Sequence, residues 1–381
     1  MLKQRGMISN HSRYVAMGNV RIWKHMYPLG FTVSYVDEVF SYYAEKTYNK
    51  AYKYFLDKEI EDAKEFGYEI SEKIIKAKAK KRAEETTIRE IEQGYQAFET
   101  KLNTINNSLA QTPFVTISFG LKTDKWAREI SKVILKTRTK GLGQNKTTAV
   151  FPKLIFLYRS EINGDKNSPN YDIKKLAIKC SSLRLYPDYL SGDKGDQKEY
   201  YEECGRMVSA MGCRAYLGKF YHPQTGELIF EGRANIGAVT LNLPMYALMS
   251  IDKEGNFDRE KFFSLIDKYS EIVFDIHKET YEKIGKMKGA SNPLFYCEGG
   301  AWMSVGYDDE IAPVLEGFTA SLGYIGLEEV CQAAFGEDMT KHQDFAKEVV
   351  QYLWDTCMKY KERDHKLYTL YATPRILWER K

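Results

Sequence analysis

The placement of proline constrains this chain most. None occurs between Pro28 and Pro113, so a long stretch keeps every backbone N–H available for unbroken helix. Within it, residues 45–105 are rich in Lys, Glu, Ala and Tyr. Apolar residues recur at helical spacing, first at Tyr52, Phe55, Ile60, Ala63 and Phe66, then at Ile70, Ile74 and Ala77. This spacing predicts long helices, with Gly67 as a weak point. The run Lys76-Ala77-Lys78-Ala79-Lys80-Lys81-Arg82-Ala83-Glu84-Glu85 turns from basic to acidic. It could offer a phosphate-binding face, but such a run favours the solvated side of a helix.

After Pro113 the texture changes. Phe114–Phe119 and Lys153–Tyr158 read as buried strands, and Cys213–Tyr216 and Ala238–Leu243 are strand candidates. Helices are expected from Trp126 to Leu135, Asp172 to Ser181, Arg259 to about Lys288 (where Gly289 would stop it) and Lys341 to Lys361. Ala320–Gly326 opens another strand-to-helix unit, and Lys366–Tyr371 closes the series. Strands alternating with long helices predict an α/β fold with mostly parallel strands.

Composition narrows the classes. With 381 residues, 43% hydrophobic and 28% charged, including 28 Tyr and 19 Phe, the chain has ample material for a core. A net charge of +4 argues against a dedicated nucleic-acid binder. The cysteines (Cys180, Cys204, Cys213, Cys297, Cys331 and Cys357) form no CxxC pair, which disfavours a disulfide framework or a four-cysteine zinc site. The histidines show no metal-ligand spacing, so no metal site is expected. No apolar stretch approaches a membrane span, and the expectation is a soluble protein in the reducing cytoplasm. Gly141-Leu142-Gly143-Gln144-Asn145-Lys146-Thr147-Thr148 invites a phosphate-loop reading, but no glycine precedes Lys146 and the spacer does not fit. Glu298-Gly299-Gly300 reads as an edge loop, and Cys297, Cys331 and Cys357 as core thiols.

One stretch stands apart. Met211-Gly212-Cys213-Arg214-Ala215-Tyr216-Leu217-Gly218 carries a lone cysteine after glycine, and Gly232-Arg233-Ala234-Asn235-Ile236-Gly237 follows before Ala238–Pro244. In this order the two segments resemble the active-site finger loop and following strand of class III anaerobic ribonucleoside-triphosphate reductases, which are glycyl-radical enzymes. Further segments are similar in the same order: Gln111–Gly120, Lys140–Gly143 with Phe151–Leu154, Pro169–Ile173 with Leu176-Ala177, Arg184–Asp188, Ser321–Gly326 and Leu370–Pro374. The resemblance covers roughly residues 31–374. It leaves 1–30 as an unmatched N-terminal segment and 375–381 as a tail. It implies a ten-stranded α/β barrel of two parallel halves, with the cysteine loop through its middle. The family's early active-site cysteine finds no counterpart before Cys180, and no cysteine-rich zinc module or radical-storing glycine segment follows Pro374. The expectation is therefore an internal reductase fragment, inactive alone.

The resemblance assigns roles. Reducing the ribose 2′-carbon requires a radical at C3′, and Cys213 is implied as the thiyl that creates it; on its own, a buried free cysteine is ordinary core. Asn235 matches the family's active-site asparagine, its amide suited to ribose hydroxyls; local sequence alone would equally make it a turn residue. Asn242 ranks below it. Thr373, with Ala372, looks like the segment where substrate phosphates meet a helix N-terminus, although Thr373 also suits a plain N-cap before Pro374. Implied with these are a glycyl radical and structural zinc on absent segments, and formate or a thiol protein as reductant. Implied partners are ribonucleoside triphosphates, allosteric dNTP and ATP, a second copy in a homodimer, a radical-SAM activase, and a separate chain carrying the glycyl-radical module. A competing reading is a non-catalytic remnant or a nucleotide-binding assembly subunit of a split reductase. A pyruvate formate-lyase-like enzyme is disfavoured because its active-site cysteines are adjacent, whereas Gly212-Cys213-Arg214 carries one.

Overall fold

The computed structural model describes residues 30–65, 71–104, 114–209 and 217–372. The chain divides into two compact units, Met1–Gly212 and Cys213–Lys381. The first contains β1 (Gly30–Val33), α1 (Val36–Glu65), α2 (Glu72–Thr104), β2 (Phe114–Phe119), α3 (Lys125–Lys140), β3 (Lys153–Tyr158), α4 (Tyr171–Arg184), β4 (Asp188–Ser191) and α5 (Gly195–Cys204). Its strands form one parallel sheet in the order β1-β2-β3-β4.

The long helices take the place expected for them, but their buried stripe is offset from the expected one. Ile74 is 50% exposed, whereas Ile75, Ala79 and Ala83 are buried. The basic run keeps its lysines outward around those small residues, with Lys76 paired to Glu72 and Arg82 reaching Glu59 of α1. It is a solvated helix face. Gly67, Phe66 and Ile70 lie outside the described residues. The core forms where Val115, Ile117 and Phe119 of β2 and Leu154 and Phe156 of β3 meet Ile130 and Ile134 of α3 and Ile173 and Ala177 of α4. Asp124 starts α3 by accepting the Ala127 N–H at 3.0 Å.

The second unit contains β5 (Asn235–Asn242), α6 (Leu243–Met249), α7 (Arg259–Gly285), α8 (Pro293–Tyr296), α9 (Ala312–Leu315), β6 (Thr319–Ile325), α10 (Leu327–Phe335), α11 (Gln343–Asp364) and β7 (Leu367–Ala372). β6 is central in a parallel three-stranded sheet. The α7 helix ends at Gly285, short of the expected stop at Gly289, which instead opens a 3₁₀ turn. The parallel α/β expectation holds. The described strands are seven, in sheets of four and three, so the ten of the expected barrel are not reached among the described residues. No described helix is long and apolar enough to cross a membrane.

Asp37, fully buried at the start of α1, ties β2 to α3. Its Oδ2 accepts from the Gly120 N–H at 2.9 Å and the Ser131 hydroxyl at 3.2 Å, and its Oδ1 accepts from the Glu38 N–H at 3.1 Å. Burial pushes this carboxyl up to about 6, against the pull of those donors. The folded value lies above the ordinary aspartate value. The native state therefore holds the proton more tightly, and this group adds stability as pH falls through about 6. Between about pH 7 and about pH 4 the unmodified chain should gain in denaturant midpoint relative to Asp37→Asn. A difference that stays constant with pH would contradict this.

Candidate functional site

The two faces of the β5–β6–β7 sheet differ in chemistry. On one, Leu241, Ala320, Leu322 and Tyr368 are buried, and Tyr368 packs on Phe274 of α7. The other carries small hydroxyl residues, because alternate positions of a strand share a face. Asn235 donates through Nδ2 to the Ser321 hydroxyl at 2.5 Å, and Ser321 shares a 3.2 Å hydrogen bond with Thr369. One chain of hydrogen bonds thus crosses β5, β6 and β7. Higher on the same face, Thr240 and Tyr371 are joined at 3.0 Å above Gly323. A Cβ at Gly323 would come within 2.6 Å of the Thr240 oxygen, so glycine makes room for that pair. Behind the sheet, buried His277 donates through Nε2 to the Ser321 carbonyl at 3.1 Å, and burial lowers its pKa, keeping it neutral.

Asn235 is not a turn residue. β5 begins three positions before the expected Ala238, and a register irregularity between Asn235 and Gly237 lets the Asn235 Oδ1 accept the Gly237 N–H at 3.0 Å. Asn242, the lower-ranked asparagine, caps α6 by accepting the Met245 N–H. Ala372 is exposed at the end of β7, level with Tyr324, whereas Asn235 is level with Thr319. The register thus sets these two expected site residues about 16 Å apart along the strands. Cys213 and Thr373 lie outside the described residues.

The described chain on either side of Cys213 is held by hydroxyl groups. In the first unit, Ser209 donates to the Ser118 hydroxyl of β2 at 2.6 Å, and the Met207 N–H donates to the Tyr35 hydroxyl at 2.6 Å. In the second unit, the Gly218 N–H donates to the Thr319 hydroxyl at 3.2 Å, and the Gly218 carbonyl accepts from Arg233 at 2.6 Å. Sequence reasoning missed Ser321, Thr369 and Arg233. The signal for the first two was a hydroxyl residue every second place in otherwise apolar strands. The signal for Arg233 was its place two residues before Asn235.

Other candidates resolve to structure. Cys331 and Cys357 are core thiols, and burial pushes Cys357 up to about 12; Cys297 is only half-buried, because it sits on a loop beside Gly289. The Gly141–Thr148 loop closes on an antiparallel Leu142–Thr147 bridge, and Arg184 donates to its Lys146 carbonyl at 2.9 Å. That is a braced turn and not a phosphate cradle. Among the described residues, there is no group of three or more His, Cys, Asp or Glu that could hold a metal ion.

A family model described as anaerobic ribonucleoside-triphosphate reductase matches residues 26–375. The chain belongs to the anaerobic ribonucleoside-triphosphate reductase family. It is 34% identical over 376 residues to the enzyme of that name from Escherichia coli (strain K12), covering 96% of this chain and 48% of the relative. It is 34% identical over 362 residues to that of Enterobacteria phage T4, covering 94% and 55%. A third relative, from Haemophilus influenzae, is 32% identical over 360 residues. The chain spans about half the length of these curated relatives.

Ser321 is the shared partner of Asn235 and Thr369, so removing it should uncouple them. In a double-mutant cycle of Ser321→Ala with Asn235→Ala, read by denaturant unfolding, a coupling of about 1 kcal/mol is expected. Strict additivity would show that the ladder carries no energy.

Proposed function

We propose that this chain is the catalytic core of a reductase that converts ribonucleoside triphosphates to deoxyribonucleotides by thiyl-radical chemistry at Cys213. The observation that carries the reading is Asn235. The residue that the family resemblance selects stands on a hydroxyl-lined sheet face and not in a turn. A neutral amide and neighbouring hydroxyls suit the ribose diol, because they exchange hydrogen bonds in both directions without adding charge. The stretch between the hydroxyl-held residues Ser209 and Gly218 contains Cys213.

In this reading Cys213, oxidised to a thiyl, takes the hydrogen from C3′ of the ribose. The 2′-hydroxyl then leaves as water with one added proton. Two electrons and a proton come from formate or a thiol protein, and Cys213 returns its hydrogen to C3′. A stored glycyl radical supplies the oxidising equivalent when its segment is present. Asn235 holds the hydroxyls in place through these steps, and Thr373 with Ala372 receives the phosphates.

The finer expectations accompany this proposal: a ten-stranded barrel, a cytoplasmic homodimer, allosteric control by dNTP and ATP, and activation by a radical-SAM partner. The test is anaerobic reconstitution of the chain with a polypeptide bearing the family's glycyl-radical module, an activase and a reductant. Cys213→Ser should abolish product at unchanged folded fraction, since an alcohol O–H is too strong to be oxidised by the stored radical. Asn235→Ala should retain measurable turnover, reduced by about tenfold, in line with roughly 1–2 kcal/mol of lost hydrogen bonding. Turnover by Cys213→Ser equal to that of the unmodified chain would remove the assignment.

A further inference from the structure

We propose that Arg233 is a positioning residue for the Cys213 segment, holding its exit, Gly218, against the start of β6. This rests on the reading of Cys213 as the radical-bearing thiol.

The geometry is that of a fork across three main-chain sites. Arg233 is 8% exposed and donates through Nη2 to the Gly218 carbonyl at 2.6 Å, through Nε to the Gly317 carbonyl at 2.6 Å, and through Nη1 to the Ile229 carbonyl at 3.2 Å. Charge-assisted bonds of this length are the strong ones. Gly317 stands just ahead of β6, so the guanidinium bridges the chain leaving the Cys213 segment to the strand that carries Thr319 and Ser321. The other polar atom of Gly218 is held as well, its N–H donating to the Thr319 hydroxyl at 3.2 Å. A Cβ on Gly218 would lie 3.8 Å from the Thr369 methyl, which places this residue over the ladder that orients Asn235.

The preceding residue aims the fork. Gly232 adopts φ +69°, a Cβ there would collide with the Ala301–Trp302 peptide, and its carbonyl accepts the Trp302 N–H at 2.9 Å. Phe220 packs against the guanidinium at 5.5 Å and meets Trp302 edge-on at 4.9 Å. Lysine has a single charged nitrogen and cannot span the Gly218 and Gly317 carbonyls in the same fixed geometry. In the proposed reading the thiol and the asparagine serve the same sugar, and Arg233, two residues before Asn235, anchors the described chain that follows the Cys213 stretch.

The test uses the full-length chain with Arg233→Gln, Arg233→Lys and Thr319→Val. Alkylation of Cys213 by iodoacetamide is followed by peptide mass spectrometry, with exposed Cys204 on α5 as the internal reference. At matched folded fraction, Arg233→Gln should raise the Cys213-to-Cys204 rate ratio by about tenfold, the factor expected for losing one charge-assisted hydrogen bond. Arg233→Lys should fail to restore the ratio, and Thr319→Val should raise it by a smaller factor. If Arg233→Gln does not fold, the other two variants decide. An unchanged ratio in the folded variants overturns the proposal. Alkylation requires no turnover, so a raised ratio alongside an unmodified chain that makes no product in reconstitution would refute the reductase reading and leave the anchor in place.

Discussion

Strand β6 is paired in parallel on both edges, with β5 on one side and β7 on the other. A strand so placed has its backbone donors and acceptors committed, and its register against each neighbour is therefore set. The hydrogen-bonded ladder on the hydroxyl face of the second unit depends on that register. It puts Ser321 beside Thr369 and within reach of Asn235, and it stacks Thr240 and Tyr371 across Gly323. A slip of one residue would exchange Ser321 for Leu322 and turn the hydroxyls into the helix-covered core.

The hydroxyl face carries little charge. Its hydrogen bonds come from Asn, Ser, Thr and Tyr, and His277 behind it is held neutral by burial. Neutral donors and acceptors would suit the sugar hydroxyls of the proposed reaction, because they exchange hydrogen bonds in both directions. In the first unit Ser118 of β2 has an analogous use of its side chain, since its hydroxyl receives both Ser209 and the Tyr35 N–H. Elsewhere burial raises the pKa of Cys180, Cys331 and Cys357, which keeps those thiols protonated and inert.

Much of the frame was legible from pattern. β2 and β3 occupy the residues that apolar runs and flanking Pro and Gly predicted. The helices that apolar spacing predicted are all present, although α1 begins at Val36, ahead of the expected residue 45, and the short α5, α6, α8 and α9 were not predicted. The short β1 and β4 were not legible, because Gly-Phe-Thr-Val and Asp-Tyr-Leu-Ser carry no bounded apolar run and become strands only by pairing with β2 and β3. The buried stripe of α2 was misplaced by one position, since a helix with alanine on several sides takes its facing from the partner it packs on.

The candidate site divides in the same way. Sequence alone singled out the proposed chemical residues, Cys213 and the asparagine of the Gly-Arg-Ala-Asn segment, because these are matters of residue type and order along the chain. It also determined the parallel α/β class, since strand–helix alternation is a local signal. Only the tertiary structure decided that Asn235 begins a strand, that Ser321 and Thr369 orient it, and that Arg233 gathers carbonyls from Gly218, Ile229 and Gly317. Those partners are up to about ninety residues apart in the chain, and what joins them is the pairing of strands and the need of buried carbonyls for donors, neither of which any local pattern encodes.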